Sequence, residues 1–161
     1  MRIVPGVALS AALVVALAGC GREAAFADRT ARVTVDGDTT TYEVDSCGLD
    51  GQTVFVVGRS EEGRTVQAVV GVEGDGETGV PRSSGLTVVG DGVSVGAFGV
   101  EAWARRGEEG PPPGTIASAR VRGARIQFRG QAEPVDAEDR PTGDDPVGFA
   151  FDARCDQRDG E

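Results

Sequence analysis

The chain has 161 residues, with 16 Arg, no Lys and no His against 26 acidic side chains, and a net charge of −10. So acidic a chain is not expected to bind nucleic acid, since phosphate contacts need clustered cations, and its average charge gives no attraction to an anionic lipid surface. The missing His and Lys remove the usual proton acceptors and amine nucleophiles, because Arg stays protonated near neutral pH.

Residues 3–18 (IVPGVALSAALVVALA) carry no charge and follow Arg2, the sole basic residue before Cys20. A short basic start, an apolar run and a small-residue cleavage site predict a helical secretory signal peptide over residues 1–19. The run is short for a membrane span, which takes ~20 apolar residues. Leu17-Ala18-Gly19-Cys20 closes it and resembles the lipobox of bacterial lipoproteins. That resemblance implies cleavage between Gly19 and Cys20, acylation of the Cys20 thiol, and a chain held at the extracytoplasmic face of the cell membrane. Two acyl chains anchor stably where one binds marginally, so attachment is expected to come from lipid at Cys20.

Residues 20–30 show little periodicity and read as a tether. From residue 31 to 156 short alternating runs are broken by Gly and Asp, and 157–161 reads as a flexible tail. The candidate strands, in chain order, are 32–35, 39–46, 53–58, 65–72, 86–90, 93–98, 100–105, 115–122, 124–132 and 147–154. Asp36-Gly37 between the first two is a strong hairpin signal. Ile126 and Phe128, and likewise Val147, Phe149 and Phe151, alternate with polar or small residues and so mark buried faces. Strands recurring every 8–12 residues with Gly turns predict an all-β domain, best read as a single β-sandwich. The stiff Glu108–Gly114 connection with three prolines and the acidic 133–146 stretch read as exposed loops.

With Cys20 given to lipid, Cys47 and Cys155 remain as an even pair in an oxidising compartment, which predicts one disulfide between them. Several motifs fit catalysis or ligand binding poorly. Gly92-Val93-Ser94-Val95-Gly96 matches the hydrolase G-x-S-x-G pattern, yet that serine needs a strand-to-helix elbow and a base. Gly74-Asp75-Gly76-Glu77-Thr78-Gly79 matches a phosphate-loop pattern but carries two carboxylates, where a positive field is wanted. Asp136, Glu138, Asp139, Asp144 and Asp145 could offer oxygen ligands to calcium, without EF-hand spacing. Tyr42 and Trp103 are placed on strands, as packing residues or as a ligand-contacting pair. No catalytic residue, metal site or cofactor is expected.

In order along the chain, the lipobox, Val33-Thr34-Val35-Asp36-Gly37, Cys47 ten residues later, and Ser94-Val95-Gly96 lead to a late small-residue set. That set is Ala117-Ser118-Ala119, Gly123, Ile126, Gly130 and Ala132, followed by Phe149-x-Phe151 and Cys155. This succession, in a composition typical of GC-rich coding, resembles the mycobacterial surface lipoprotein antigens of the LpqH type. The resemblance implies a lipid-anchored, non-enzymatic envelope protein recognised by host innate receptors through its acylated N-terminus. It carries over Cys20 as the lipidation site and Cys47–Cys155 as the disulfide. The acidic and polyproline loops depart from that family, whose members are rich in Thr, Asn and Gly. The alternative expectation is a carrier holding a lipid or other apolar ligand in a cavity between sheets.

Overall fold

The structure is a computed structural model and describes residues 27–74, 76–90, 92, 94–108 and 110–155. The signal peptide, the Gly19–Cys20 cleavage and lipidation site, tether residues 20–26 and the 157–161 tail lie outside the described residues.

Among the described residues, nine strands and one short helix follow in the order β1 (Thr30–Val35), β2 (Asp38–Asp50), β3 (Thr53–Arg59), β4 (Thr65–Val72), β5 (Gly79–Val89), β6 (Ser94–Phe98), α1 (Val100–Arg105), β7 (Thr115–Arg122), β8 (Arg125–Val135) and β9 (Val147–Arg154). They form one antiparallel sheet in the order β6-β5-β4-β3-β2-β1-β9-β8-β7. The sheet closes because one edge of β8 serves two partners. Its first part pairs with β7 from Arg125 to Gln131, and its last residues, Glu133 to Val135, pair with Gly96 to Ser94 of β6. β7 completes the wall where the five-residue β6 has ended, and its Arg120 bridges to Thr78 at the foot of β5.

The fold is therefore all-β with one disulfide, but an eight-strand barrel replaces the expected sandwich. A sandwich and a barrel share the same in–out alternation along each strand. Only the pairing of β6 with β8, nearly forty residues apart in sequence, distinguishes them here.

The inward face carries the core. Ala31 and Val33 of β1 stand beside Tyr42 of β2 and Phe151 and Ala153 of β9, all almost fully buried. Ile126 and Phe128 continue these rows onto β8, where Phe128 stacks tilted on Phe151 at 4.6 Å and meets Phe149 edge-on at 5.8 Å. With the valines of β3 and β4 and Leu86 of β5 they make one contiguous cluster. An eight-strand barrel is about wide enough for its own side chains to fill.

Three elements differ from their sequence expectation. Residues 100–105 form helix α1 rather than a strand. Consecutive Ala102 and Trp103 are both buried, which a helix lying on a wall allows and a half-buried strand does not. Six residues are too few to show a helical period in sequence. Glu101 in the first turn and Arg105 in the last suit the helix dipole.

β5 begins at Gly79, well before the expected 86, because several extra residues bulge out between its two pairings with β4. Likewise β2 runs on to Asp50 through a bulge between Val44 and Ser46.

α1 docks at the β5 bulge, on the outside of the barrel. Phe98, Ala102 and Trp103 form a second buried cluster against Val69. Gly85 makes this possible, because a Cβ there would lie 2.3 Å from the Phe98 ring. Glu101 ties the helix to Ser83 and Arg82 of β5, and Arg105 donates to the Ser83 carbonyl at 2.8 Å.

Candidate functional site

The described residues of the tether enter at the end of the barrel that also holds the disulfide. β1 begins at Thr30, opposite Glu43 of β2 and Arg154 of β9. β2 continues for another seven residues, so a gap opens between its lower half and the end of β9. Cys155, next after Arg154, crosses that gap to Cys47 with the Cα atoms 5.8 Å apart and 108 residues between them in sequence. The predicted disulfide is thus formed where the barrel's hydrogen bonding lapses.

The incoming chain fills the same gap. Arg29 takes a left-handed backbone at φ 54° and donates its guanidinium to the Val44 and Asp45 carbonyls, at 2.8 and 3.1 Å. Val44 N–H donates in return to the Arg29 carbonyl at 2.9 Å. Asp28 pairs with Arg154. The last residues assigned to the tether are therefore part of the folded domain.

At the opposite end the acidic stretch is shorter and more ordered than expected. β8 claims residues 133–135, and a bridge between Val135 and Pro141 pinches off a tight turn. Asp136 accepts the Glu138 and Arg140 backbone N–H groups at 3.0 and 2.9 Å and the Arg140 guanidinium at 3.0 Å. The Arg140 backbone N–H, ahead of the other donors, holds the Asp136 carboxyl below the usual carboxylate range. Glu138 shares Arg140, Asp139 pairs with Arg106, and Asp144 accepts from Thr142. These carboxylates are engaged one by one with arginines and donors instead of converging. Among the described residues no group of three or more His, Cys, Asp or Glu is placed to hold a metal ion.

The remaining motifs take structural positions. Ser94 of the G-x-S-x-G match opens strand β6, paired with Val89 and Val135, and no helix elbow follows it. The glycine-rich 74–79 segment leads into β5, where a Cβ at Gly79 would strike the Ala119 backbone at 2.4 Å. That glycine serves close packing against β7. Tyr42 lies inside the barrel and Trp103 outside it under α1, in separate clusters, so the structure does not bring them together. Burial pushes the Tyr42 hydroxyl up from its ordinary value, against the opposing pull of Thr40 and Arg64.

A shallow depression of about 390 Å³ opens on the outer wall between β1, β7, β8 and β9. Gly148, Ala150 and Ala117 leave that wall thin of side chains, and Arg129 and Gln131 also line it. Sequence alternation could not reveal it, because it lies on the polar side of the strands. Compared with known proteins, the chain matches no family model and no curated protein.

Proposed function

We propose that the protein is a lipid-anchored lipoprotein of the cell envelope, held by Cys20, whose barrel serves a binding or structural role and not catalysis. The observation that carries this reading is Leu17-Ala18-Gly19-Cys20 closing an uncharged run. The disulfide between Cys47 and Cys155 supports it, since such bonds persist in exported proteins and are rare in the cytosol. The chain's lack of His and Lys supports the non-catalytic part. The kinship with the LpqH-type surface antigens belongs to the same proposal.

No observation favours the carrier alternative, since the inward side chains form one contiguous cluster and the depression of about 390 Å³ lies outside. The test is the mass of the Cys20 peptide from membrane-extracted protein. Acyl mass on that peptide, and transfer of a Cys20→Ala variant out of the membrane fraction, are the expected results. An unmodified Cys20 in membrane-extracted protein overturns the proposal.

A further inference from the structure

The outer wall formed by β7, β8, β9 and β1 is basic, although the protein as a whole is acidic. Strand register places its arginines in rows. Thr30, Arg154, Arg125 and Arg122 stand side by side on four strands at the tether end. The next outward row is Arg32, Asp152, Gln127 and Arg120, and the one after it contains Arg129. Neighbouring strands are about 4.8 Å apart and successive outward rows about 7 Å. Six arginines therefore share a patch roughly 15 Å on a side.

Like charges placed directly opposite one another destabilise a sheet, so this arrangement costs the fold something. Two carboxylates relieve it in part. Asp152 accepts both Arg125 nitrogens, at 3.0 and 2.7 Å, and Gln127 at 2.9 Å. Asp28 pairs with Arg154. Arg120, Arg122 and Arg129 remain exposed. Glu43 and Glu77 border the patch, whereas the carboxylates of the 136–145 turn lie at the other end of the barrel. Charges separated by more than about 8 Å are largely screened at physiological ionic strength, so the balance is set by the groups at the patch, where, among the described residues, six arginines exceed Asp28, Asp152, Glu43 and Glu77.

The position of the patch says what it faces. The chain enters the barrel at Asp28, beside the Arg154–Arg125–Arg122 row. From Cys20 to Asp28 a fully extended chain spans at most about 28 Å. A lipid on Cys20 thus keeps this end of the barrel within that distance of the bilayer.

We propose that the arginine wall is a docking surface for the phosphate headgroups of the anionic bilayer to which Cys20 anchors the chain. This rests on the lipid-anchor reading. Guanidinium groups suit the task, since they bind phosphate oxygens in bidentate fashion. Each basic residue near an anionic surface multiplies partitioning about fivefold. The wall would tilt the barrel onto the membrane by its tether end, with the acidic end turned away.

The test uses the mature chain from residue 20 with Cys20→Ser and its disulfide formed, so that acylation plays no part. Sedimentation with phosphatidylglycerol–phosphatidylcholine vesicles at low salt should bring the chain down, and phosphatidylcholine alone should not. The double reversal Arg120→Glu/Arg122→Glu should weaken binding by tenfold or more, whereas Arg140→Glu, in the acidic turn at the other end of the barrel, should leave it unchanged. Circular dichroism melting confirms that each variant is folded, and the single Arg129→Glu serves if the double variant is not. Equal binding to both vesicle types, no binding, or insensitivity to the reversals overturns the docking surface, as does binding to soluble polyphosphate but to neither vesicle. Acyl mass on Cys20 is read separately, so a failed wall and a failed anchor are told apart.

Discussion

The two ends of this barrel are held together by different forces. At the tether end a covalent bond crosses a gap in the hydrogen-bonded wall, and Arg29 and Asp28 lock into the same gap. At the far end a solvated turn is organised by Asp136 and Arg140, with Asp139 reaching back to Arg106 beyond α1. The covalent bond does not respond to salt or mild acid; the ion pairs of the acidic turn respond to both. Under the proposed anchoring by Cys20, mechanical load would fall on the covalent end.

Removing the covalent bond should break this contrast most severely. The replacement of Cys47 and Cys155 by Ala opens a loop of 108 residues, which the chain-entropy model values at about 4–5 kcal/mol. Urea unfolding of the variant should match that of the reduced wild type, with both far below the oxidised protein. If reduction leaves the unfolding midpoint in place, the Arg29 and Asp28 contacts hold the gap and the bond is redundant.

The wall that links the two ends can be loosened next. Trp103→Ala should cost about 3 kcal/mol, since it empties a buried position under α1. Arg106 follows this helix, stacks 5.1 Å over the Phe98 ring and pairs with Asp139. Losing the helix should therefore free the acidic turn as well, visible as altered amide shifts at 136–140. Gly85→Ala tests the same packing from below and should cost about 2 kcal/mol by forcing Phe98 off the sheet. Melting temperatures rank the two, and an unchanged turn in Trp103→Ala would show that it stands without the helix.

These elements were unequally legible in the sequence. Nearly all the strands could be read because alternation such as Arg125-Ile126-Gln127-Phe128 is a local property of a half-buried strand. The disulfide could be read by counting cysteines, since Cys47 and Cys155 are the pair left once Cys20 is set aside as the expected lipidation site. Barrel closure was not legible, since it depends on Ser94 meeting Val135, and a strand's own pattern does not name its partner. Helix α1 was missed because its burial depends on Gly85 and Phe98, supplied by other strands. The arginine wall was hidden for a similar reason. Arg32, Arg120, Arg122, Arg125, Arg129 and Arg154 are scattered in sequence, and net charge averages them with acids at the opposite end.

A titration of Tyr42 probes the barrel interior between the ends. Its hydroxyl pKa is raised in the folded state, chiefly by burial, above an ordinary value of 10.0. A raised folded pKa gives stability that is fully present below the unfolded value and is lost as pH rises past it. Stability should thus hold up to about pH 10 and fall above it. Absorbance at 295 nm should then report ionisation of Tyr42 together with unfolding. Ionisation with the fold intact would mean that the interior admits solvent at this position.

The smallest expected effect belongs to Asp136, and it sharpens the comparison because this carboxylate organises the turn at one end only. Its folded pKa lies below the ordinary 3.8, through backbone N–H donors first and the Arg140 side chain after them. A depressed folded pKa gives stability that is present above the unfolded value and is lost as pH falls through the folded one. The turn should therefore persist down to about pH 4 and open below it, while Cys47–Cys155 keeps the other end closed. In Asp136→Asn the amide oxygen can still accept the Glu138 and Arg140 N–H groups, but the charge on Arg140 loses its partner. Carboxyl-detected NMR titration should show the loss of one low-pKa group, weaker amide protection from 137 to 140, and no change at Val44 or Cys155. A change spreading to Val44 would mean that the acidic turn and the tether end form one cooperative unit, and the division between a covalent and a charged end would then fail.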